Sequence, residues 1–179
     1  MLDAARELFA EKGLAGTRTR DIAQRAGVTE QLLFNHFGSK EQLFAAAVLE
    51  PFADFASAYL AQWGAVPAAD ADPEAMLREY VEGLYRLVLE NRALFLALGA
   101  DRYGPPSRPI LDRLEALAAD VQALHPFTFD AAIAVRIVFV TTTTMALHQE
   151  ELLPGRSTAE IIDELAATLV TGLTKRAGV

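Results

Sequence analysis

Cysteine is wholly absent from this chain, which excludes a disulfide scaffold and a thiolate metal site and fits a reducing compartment. Histidine is scarce, and His36, His125 and His148 are too widely scattered to prefigure a zinc site. Spacings that carry catalysis are missing too. There is no Gly-x-Ser-x-Gly elbow, and Gly13-Leu-Ala-Gly16-Thr17 lacks the lysine of a phosphate loop. Glu150 and Glu151 read as a solvated helix-end cap rather than an acid–base pair. These absences argue against an enzyme, and no cofactor or metal is expected. The start, Met1 to Phe9, is amphipathic and lacks the basic-then-apolar order of a signal peptide. The most apolar stretch, 131–147, is interrupted by Arg136 and four threonines and is shorter than the roughly 20 residues that span a bilayer. A soluble cytoplasmic protein without a membrane partner is the expectation.

What is present is a globular composition: 179 residues, 52% hydrophobic and 22% charged. That length suits one domain, or a small one joined to a medium one. The formal charge of −8 argues at first against nucleic acid. Its distribution reverses the argument. Residues 51–179 carry ten Lys/Arg against seventeen Asp/Glu, whereas residues 17–40 carry Arg18, Arg20, Arg25 and Lys40 against only Asp21 and Glu30.

Periodicity is helical throughout, and strand signals are absent. Leu2, Ala5, Leu8 and Phe9 open a first helix that Gly13 can end in a left-handed conformation. Short helices follow over about 19–26 and from the N-cap Thr29 to about Phe34. The capping box Ser39-Lys-Glu-Gln42 begins a fourth helix toward Trp63, with Pro51 predicting a kink or break near 47–51. After a loop over 64–70, Asp72-Pro73 starts a helix to about Asn91. Helices near 92–100 and 107–124 flank the breaker Tyr103-Gly-Pro-Pro-Ser107. A helix over about 128–150 is apolar nearly all round and needs covering on several faces. The last opens at Ser157-Thr-Ala-Glu160 and carries Ile161, Leu165, Leu169 and Leu173 as an i, i+4 stripe. An all-α fold of about nine helices results.

Residues 17–40 hold the most specific pattern. Two short helices meet at Ala26-Gly-Val-Thr29, with a small residue for close crossing, a glycine for the turn and a cap. Ile22, Ala23, Val28 and Leu33 face inward, as a helix-turn-helix requires if its second helix is to enter a major groove. The runs Phe9-Ala-Glu-Lys-Gly13, Thr17-Arg-Thr-Arg-Asp-Ile-Ala23, Ala26-Gly-Val-Thr29, Leu33-Phe-Asn-His-Phe37 and Ser39-Lys-Glu-Gln-Leu43 together resemble the DNA-binding domain of TetR-family regulators. The resemblance implies a three-helix DNA-binding domain over 1–45 and a helical effector-binding and dimerisation domain over 46–179. It also implies double-stranded DNA, a second copy of the chain and a small-molecule effector as partners.

Carried over by position, Arg18, Thr19 and Arg20 approach phosphate or a base, and Thr29, Glu30, Gln31 and Leu32 form the leading turn of the recognition helix. Gln31 suits adenine and Leu32 a thymine methyl, whereas Glu30 reads as a helix-dipole partner. Phe34, Asn35, His36 and Lys40 complete the DNA-facing set, with His36 and Lys40 on phosphate. This sequence departs from the family at Phe34, where tyrosine is usual, at Leu32 and Gln31, and in lacking a basic arm before the first helix. Each missing phosphate contact lowers affinity without altering sequence readout.

For an effector pocket, the candidates are Trp63, Tyr80, Arg102, Tyr103, Thr141, Thr144 and His148, each with packing or a helix-end role as the plain alternative. Ile133, Ile137, Val140, Ile161, Leu165, Leu169 and Leu173 are the candidate dimer interface. The expected function is an effector-released repressor on a palindromic operator, with the relay bending near Pro51. The alternative is a helical ligand- or partner-binding protein that has weakened or lost operator binding.

Overall fold

The structure, a computed structural model, describes residues 1–67, 70–99, 107–124 and 130–174, and among these described residues there are ten helices and no strand. Dense internal packing divides it into two units, Met1–Ala53 with Asn91–Asp112, and Asp54–Glu90 with Arg113–Val179.

In the first unit, α1 (Leu2–Gly16), α2 (Thr19–Arg25), α3 (Glu30–Phe37) and the leading half of α4 (Lys40–Gly64) enclose a core with α6 (Arg92–Gly99). Leu8, Phe9, Ile22, Leu33, Leu43 and Phe44 are almost completely buried there. Full burial of side chains this size contributes roughly 1.5–3 kcal/mol each. The Phe9 and Phe44 rings meet edge to face at 5.0 Å. Leu94 and Phe95 are buried on α6, which packs against α1. Rather than ending at Gly13, α1 is interrupted there, at a φ of 68° that needs a residue without Cβ, and resumes to Gly16. Thr17 follows the interruption, buried, and its hydroxyl donates to the carbonyls of Leu8 and Gly13.

The second unit contains the trailing part of α4, α5 (Pro73–Glu90), most of α7 (Ser107–Leu124), α8 (Ala131–Leu147), the single turn α9 (Gln149–Leu152) and α10 (Thr158–Thr174). Helix α5 packs against both α8 and α10. It runs antiparallel to α4: Gln62 reaches Glu79, Tyr59 donates to the Met76 carbonyl, and Phe55 lies over Gly83. It also runs antiparallel to α10, since Arg78 pairs with Asp163 while Tyr85 and Thr158 share Gln149.

Two further helix expectations change. Of the kink or break expected near 47–51, the break does not occur, and α4 is continuous from Lys40 to Gly64 with Pro51 inside it. The proline removes one donor, but Ala47, Phe52 and Ala56 are buried on either side of it, and their packing holds the helix together. Helix α8 ends at Leu147 rather than near 150, because His148 leaves helical geometry at φ −121° and ψ 24° before α9 restarts. That extra turn accounts for ten helices rather than nine. By length and composition α4 alone among the described helices could cross a membrane, yet Leu43, Phe44, Phe52 and Trp63 on it are buried by their own chain, as in a core helix.

Candidate nucleic-acid interface

The turn between α2 and α3 is closed by backbone bonds. The Ala26 amide donates to the Ile22 carbonyl and the Val28 amide to Ala23, with Gly27 between them at φ 68°. Thr29 then caps α3, its side-chain oxygen accepting from the Leu32 amide at 3.2 Å. Ile22, Ala23 and Leu33 are buried, and Val28 is half-buried. The inward set therefore fixes the roll of α3 about its axis.

That roll turns Gln31, Leu32, Phe34, Asn35 and His36 outward. Leu32 is 49% exposed and Phe34 38%, a display of apolar surface with no cover among the described residues. The Gln31 side-chain amide donates to Asn35 Oδ1 at 2.8 Å, one turn along, so the two amides act as one presented unit. The His36 ring rests edge-on against Phe37 at 4.5 Å.

The flanking polar groups behave less uniformly. Arg18 and Arg20 are exposed and make no ion pair among the described residues, whereas Arg25 is tied back to Glu7 and Glu11. Thr19 donates its hydroxyl to Glu30 Oε1 at 2.5 Å, joining the start of α2 to the start of α3. Glu30 is thus half-buried and occupied beside the positive end of α3. Lys40 is also half-buried, and its ammonium donates to the carbonyls of Leu14 (2.8 Å) and Thr17 (3.3 Å), where α1 ends. Sequence position foresees neither attachment, because both join helices through side chains distant in sequence.

Elsewhere the candidates separate. Ile133, Ile137 and Val140 form an exposed apolar stripe on α8, at 56%, 49% and 58% exposure. Ile161 and Leu165 are buried inside the second unit, Leu169 is half-buried, and the Leu173 side chain lies outside the described residues. The i, i+4 stripe of α10 therefore faces its own core rather than outward, because α5 and α8 already cover it.

Arg102 and Tyr103 fall outside the described residues. Thr141 returns its hydroxyl to the Ile137 carbonyl at 2.6 Å, Thr144 is exposed, and His148 is exposed with Nδ1 3.8 Å from Glu151. Trp63 and Tyr80 are buried, and neither the indole Nε1 nor the tyrosine hydroxyl has a partner. Thr142 and Thr143, which the sequence reading passed over in favour of their neighbours, likewise hold buried hydroxyls without partners. Spacing held the signal: Thr142 continues the stripe of Ala134, Val138 and Ala146, all buried. Tyr80 sits among aromatic rings, 5.1 Å from Tyr59 and 5.3 Å from Phe55. Burial, and for Tyr59 the added presence of Glu79, raises both tyrosine pKa values and keeps the hydroxyls neutral. No metal-binding cluster of His, Asp or Glu occurs among the described residues.

Residues 1–47 match the family described as bacterial regulatory proteins, tetR family. An HTH-type transcriptional repressor of Mycobacterium tuberculosis is 52% identical over 48 residues, covering 27% of this chain and 26% of that protein. The match thus spans about a quarter of that curated relative's length. Among solved structures, the TetR-family regulator PfmR of Thermus thermophilus is 27% identical, with 96% of this chain and 97% of that one covered and a TM-score of 0.60. The regulator FadR of Bacillus subtilis, solved in complex with stearoyl-CoA, shares the fold at 16% identity, with 96% of each chain covered and a TM-score of 0.67.

Proposed function

We propose that this chain, a TetR-family protein by its N-terminal domain, is a homodimeric repressor that reads a palindromic operator and leaves it when a small molecule binds. The reading is a regulator rather than an enzyme. In it, residues 1–45 bind DNA, and residues 46–179 bind the effector and pair the subunits. The observation that carries it is the outward face of α3, rigidly rolled by Leu33 and presenting Gln31, Leu32, Phe34, Asn35 and His36. Gln31, coupled to Asn35, supplies the donor and acceptor that recognise adenine, and Leu32 the apolar contact for a thymine methyl. Arg18 and Arg20 address phosphates through exposed guanidiniums, whereas Thr19 reaches one only by giving up its bond to Glu30, and Thr29 caps the leading turn of α3.

The exposed α8 stripe of Ile133, Ile137 and Val140 supports pairing of two subunits. Two recognition helices read successive major grooves when they sit about 34–36 Å apart. An effector with higher affinity for a dimer of different spacing lowers DNA affinity by that differential and no more. The ligand-bound FadR structure supports the presence of an effector, without identifying one for this chain.

One observation favours the competing reading, a ligand- or partner-binding protein without an operator. Lys40 is committed to the Leu14 and Thr17 carbonyls, so a phosphate would have to compete for its ammonium. Selection of bound duplexes from a randomised pool decides between the two. A repressor yields a near-palindromic site whose log affinity falls linearly with log salt, with a slope of about −0.9 per phosphate neutralised. On that site Gln31→Ala loses about 1–3 kcal/mol of discrimination at one A·T position, leaving the others unchanged. A pool without enrichment rejects the operator.

A further inference from the structure

Burying a hydrogen-bonding group without a partner costs about 1–3 kcal/mol, so native interiors contain few of them. The second unit contains four: Trp63 Nε1, the Tyr80 hydroxyl, and the Thr142 and Thr143 hydroxyls. The threonines are the clearest case. Helical threonine ordinarily returns its hydroxyl to the carbonyl one turn back, and Thr141 does so. Thr142 and Thr143, on the same helix and with the same backbone within reach, leave theirs without a partner.

Helix register places these groups close in height. Tyr85 reaches the Met145 carbonyl and Gln149, which levels Tyr85 on α5 with the end of α8. The reversal through α9 into α10, with α10 antiparallel to α5, makes α8 parallel to α5. Tyr80 and the Thr142–Thr143 pair then each lie about 7 Å back along parallel axes, at 1.5 Å per residue. Trp63 lies one turn along α4 from Tyr59, which touches Tyr80.

We propose that the second unit takes up an uncharged, largely apolar molecule bearing hydrogen-bond acceptors, received by Tyr80 and Thr142 with Thr143 and Trp63 beside them. This assignment rests on the regulator reading above and specifies its effector. The donor set determines the polarity: an indole N–H only donates, and a hydroxyl donates to a carbonyl, ester or ether oxygen. The described surroundings determine the charge. Thr142 is the only buried polar or charged residue of this unit among those described, its other buried residues being hydrophobic. Its described arginines lie elsewhere: Arg78 pairs with Asp163, Arg86 with Glu82, Arg136 with Glu115 and Arg156 with Glu160, while Arg113 is exposed. An anion would thus enter without a counter-charge, at a cost far above that of a neutral molecule. A cation finds no buried carboxylate among the described residues of this unit.

Trp63 is the chain's single tryptophan, so its fluorescence reports on this interior without a label. The full-length chain is titrated with methyl decanoate, decane, decanoate and decylammonium, following Trp63 emission and the melting temperature. The ester is expected to shift the emission and raise the melting temperature. It should bind at least tenfold more tightly than either ion, with decane weaker for want of an acceptor. Tyr80→Phe and the near-isosteric Thr142→Val should each weaken ester binding about tenfold while leaving the affinity for decane unchanged. Tighter binding of either ion, equal binding of ester and decane, unaltered ester affinity in both variants, or no response to any probe overturns the proposal. Operator binding, measured on the same preparations, tests the regulator reading separately. An operator-binding chain that prefers decanoate refutes only the effector class, whereas ester binding by a chain that selects no DNA refutes only the regulator.

Discussion

Single residues settle local questions that composition leaves open. Gly83 shows how little room remains between α4 and α5. A Cβ built on it would stand 2.5 Å from the Phe55 ring, and that ring is hemmed in by Tyr59 and Tyr80. Gly83→Ala therefore sets a gain of about 1 kcal/mol in helix propensity against an overpacking cost of about 1–3 kcal/mol. Thermal melting should show net destabilisation, at roughly 2–4 °C per kcal/mol for a chain of this length. Glu160 is a smaller case with a definite sign. Its carboxylate accepts from the Ser157 amide and hydroxyl, which lowers its pKa in the folded chain. Its stabilisation is therefore complete above the unfolded carboxylate pKa and disappears as pH falls through the folded value. Glu160→Gln should flatten stability against pH across that acid window and leave the slope near neutrality unchanged, as denaturant titrations at a series of pH values would show.

Helix ends were legible in sequence wherever a cap is a local event. Thr29 accepts from Leu32, Ser39 from Gln42, Asp72 from Glu74 and Ala75, and Ser157 exchanges bonds with Glu160. A cap involves residues two or three apart, so one sequence contains all of it. Helix interiors were harder to read. Pro51 predicted a kink or break near 47–51, and α4 runs through it without a break, because burial of Ala47, Phe52 and Ala56 outweighs one missing bond. Pro51→Ala restores a donor toward the Ala47 carbonyl and should stabilise the chain by up to about 3 kcal/mol, seen as a higher denaturant midpoint. Under the proposed mechanism it also blunts effector-driven release, and unchanged release would remove Pro51 from the relay. His148 ended α8 early without any glycine or proline to announce it. The four threonines of α8 point round most of the helix, so sequence could not say which hydroxyls would be orphaned.

Over the whole molecule, charge and apolar surface are distributed by role. The net charge of −8 coexists with a surplus of basic residues over 17–40, of whose exposed arginines Arg18 and Arg20 make no ion pair among the described residues. Affinity for DNA should accordingly depend on salt through that short segment alone. The α8 stripe is the corresponding apolar feature. Ile137→Asp puts a charge at the middle of the proposed interface, where Ile137 is 49% exposed and makes little contribution to its own core. Sedimentation should show a monomer with near-unchanged helicity, and operator affinity should collapse, since one recognition helix cannot span two half-sites. A dimer that survives the substitution places the interface elsewhere.

Sequence by itself determined what depends on near neighbours: the helical periods, the caps, the glycine turns at Gly13 and Gly27, and the inward and outward sides of α3. These follow from backbone sterics and from hydrogen bonds a few residues long, which one chain segment contains in full. Tertiary structure alone decided the matters that join distant segments. It turned Ile161 and Leu165 into core while Ile133, Ile137 and Val140 stayed outside, committed Lys40 to the end of α1 and Glu30 to Thr19, and left Thr142 and Tyr80 buried without partners. An apolar stripe specifies that a face must be covered, but not by what. Which face is covered, and which donor is left over, depends on neighbours that only the packed chain supplies.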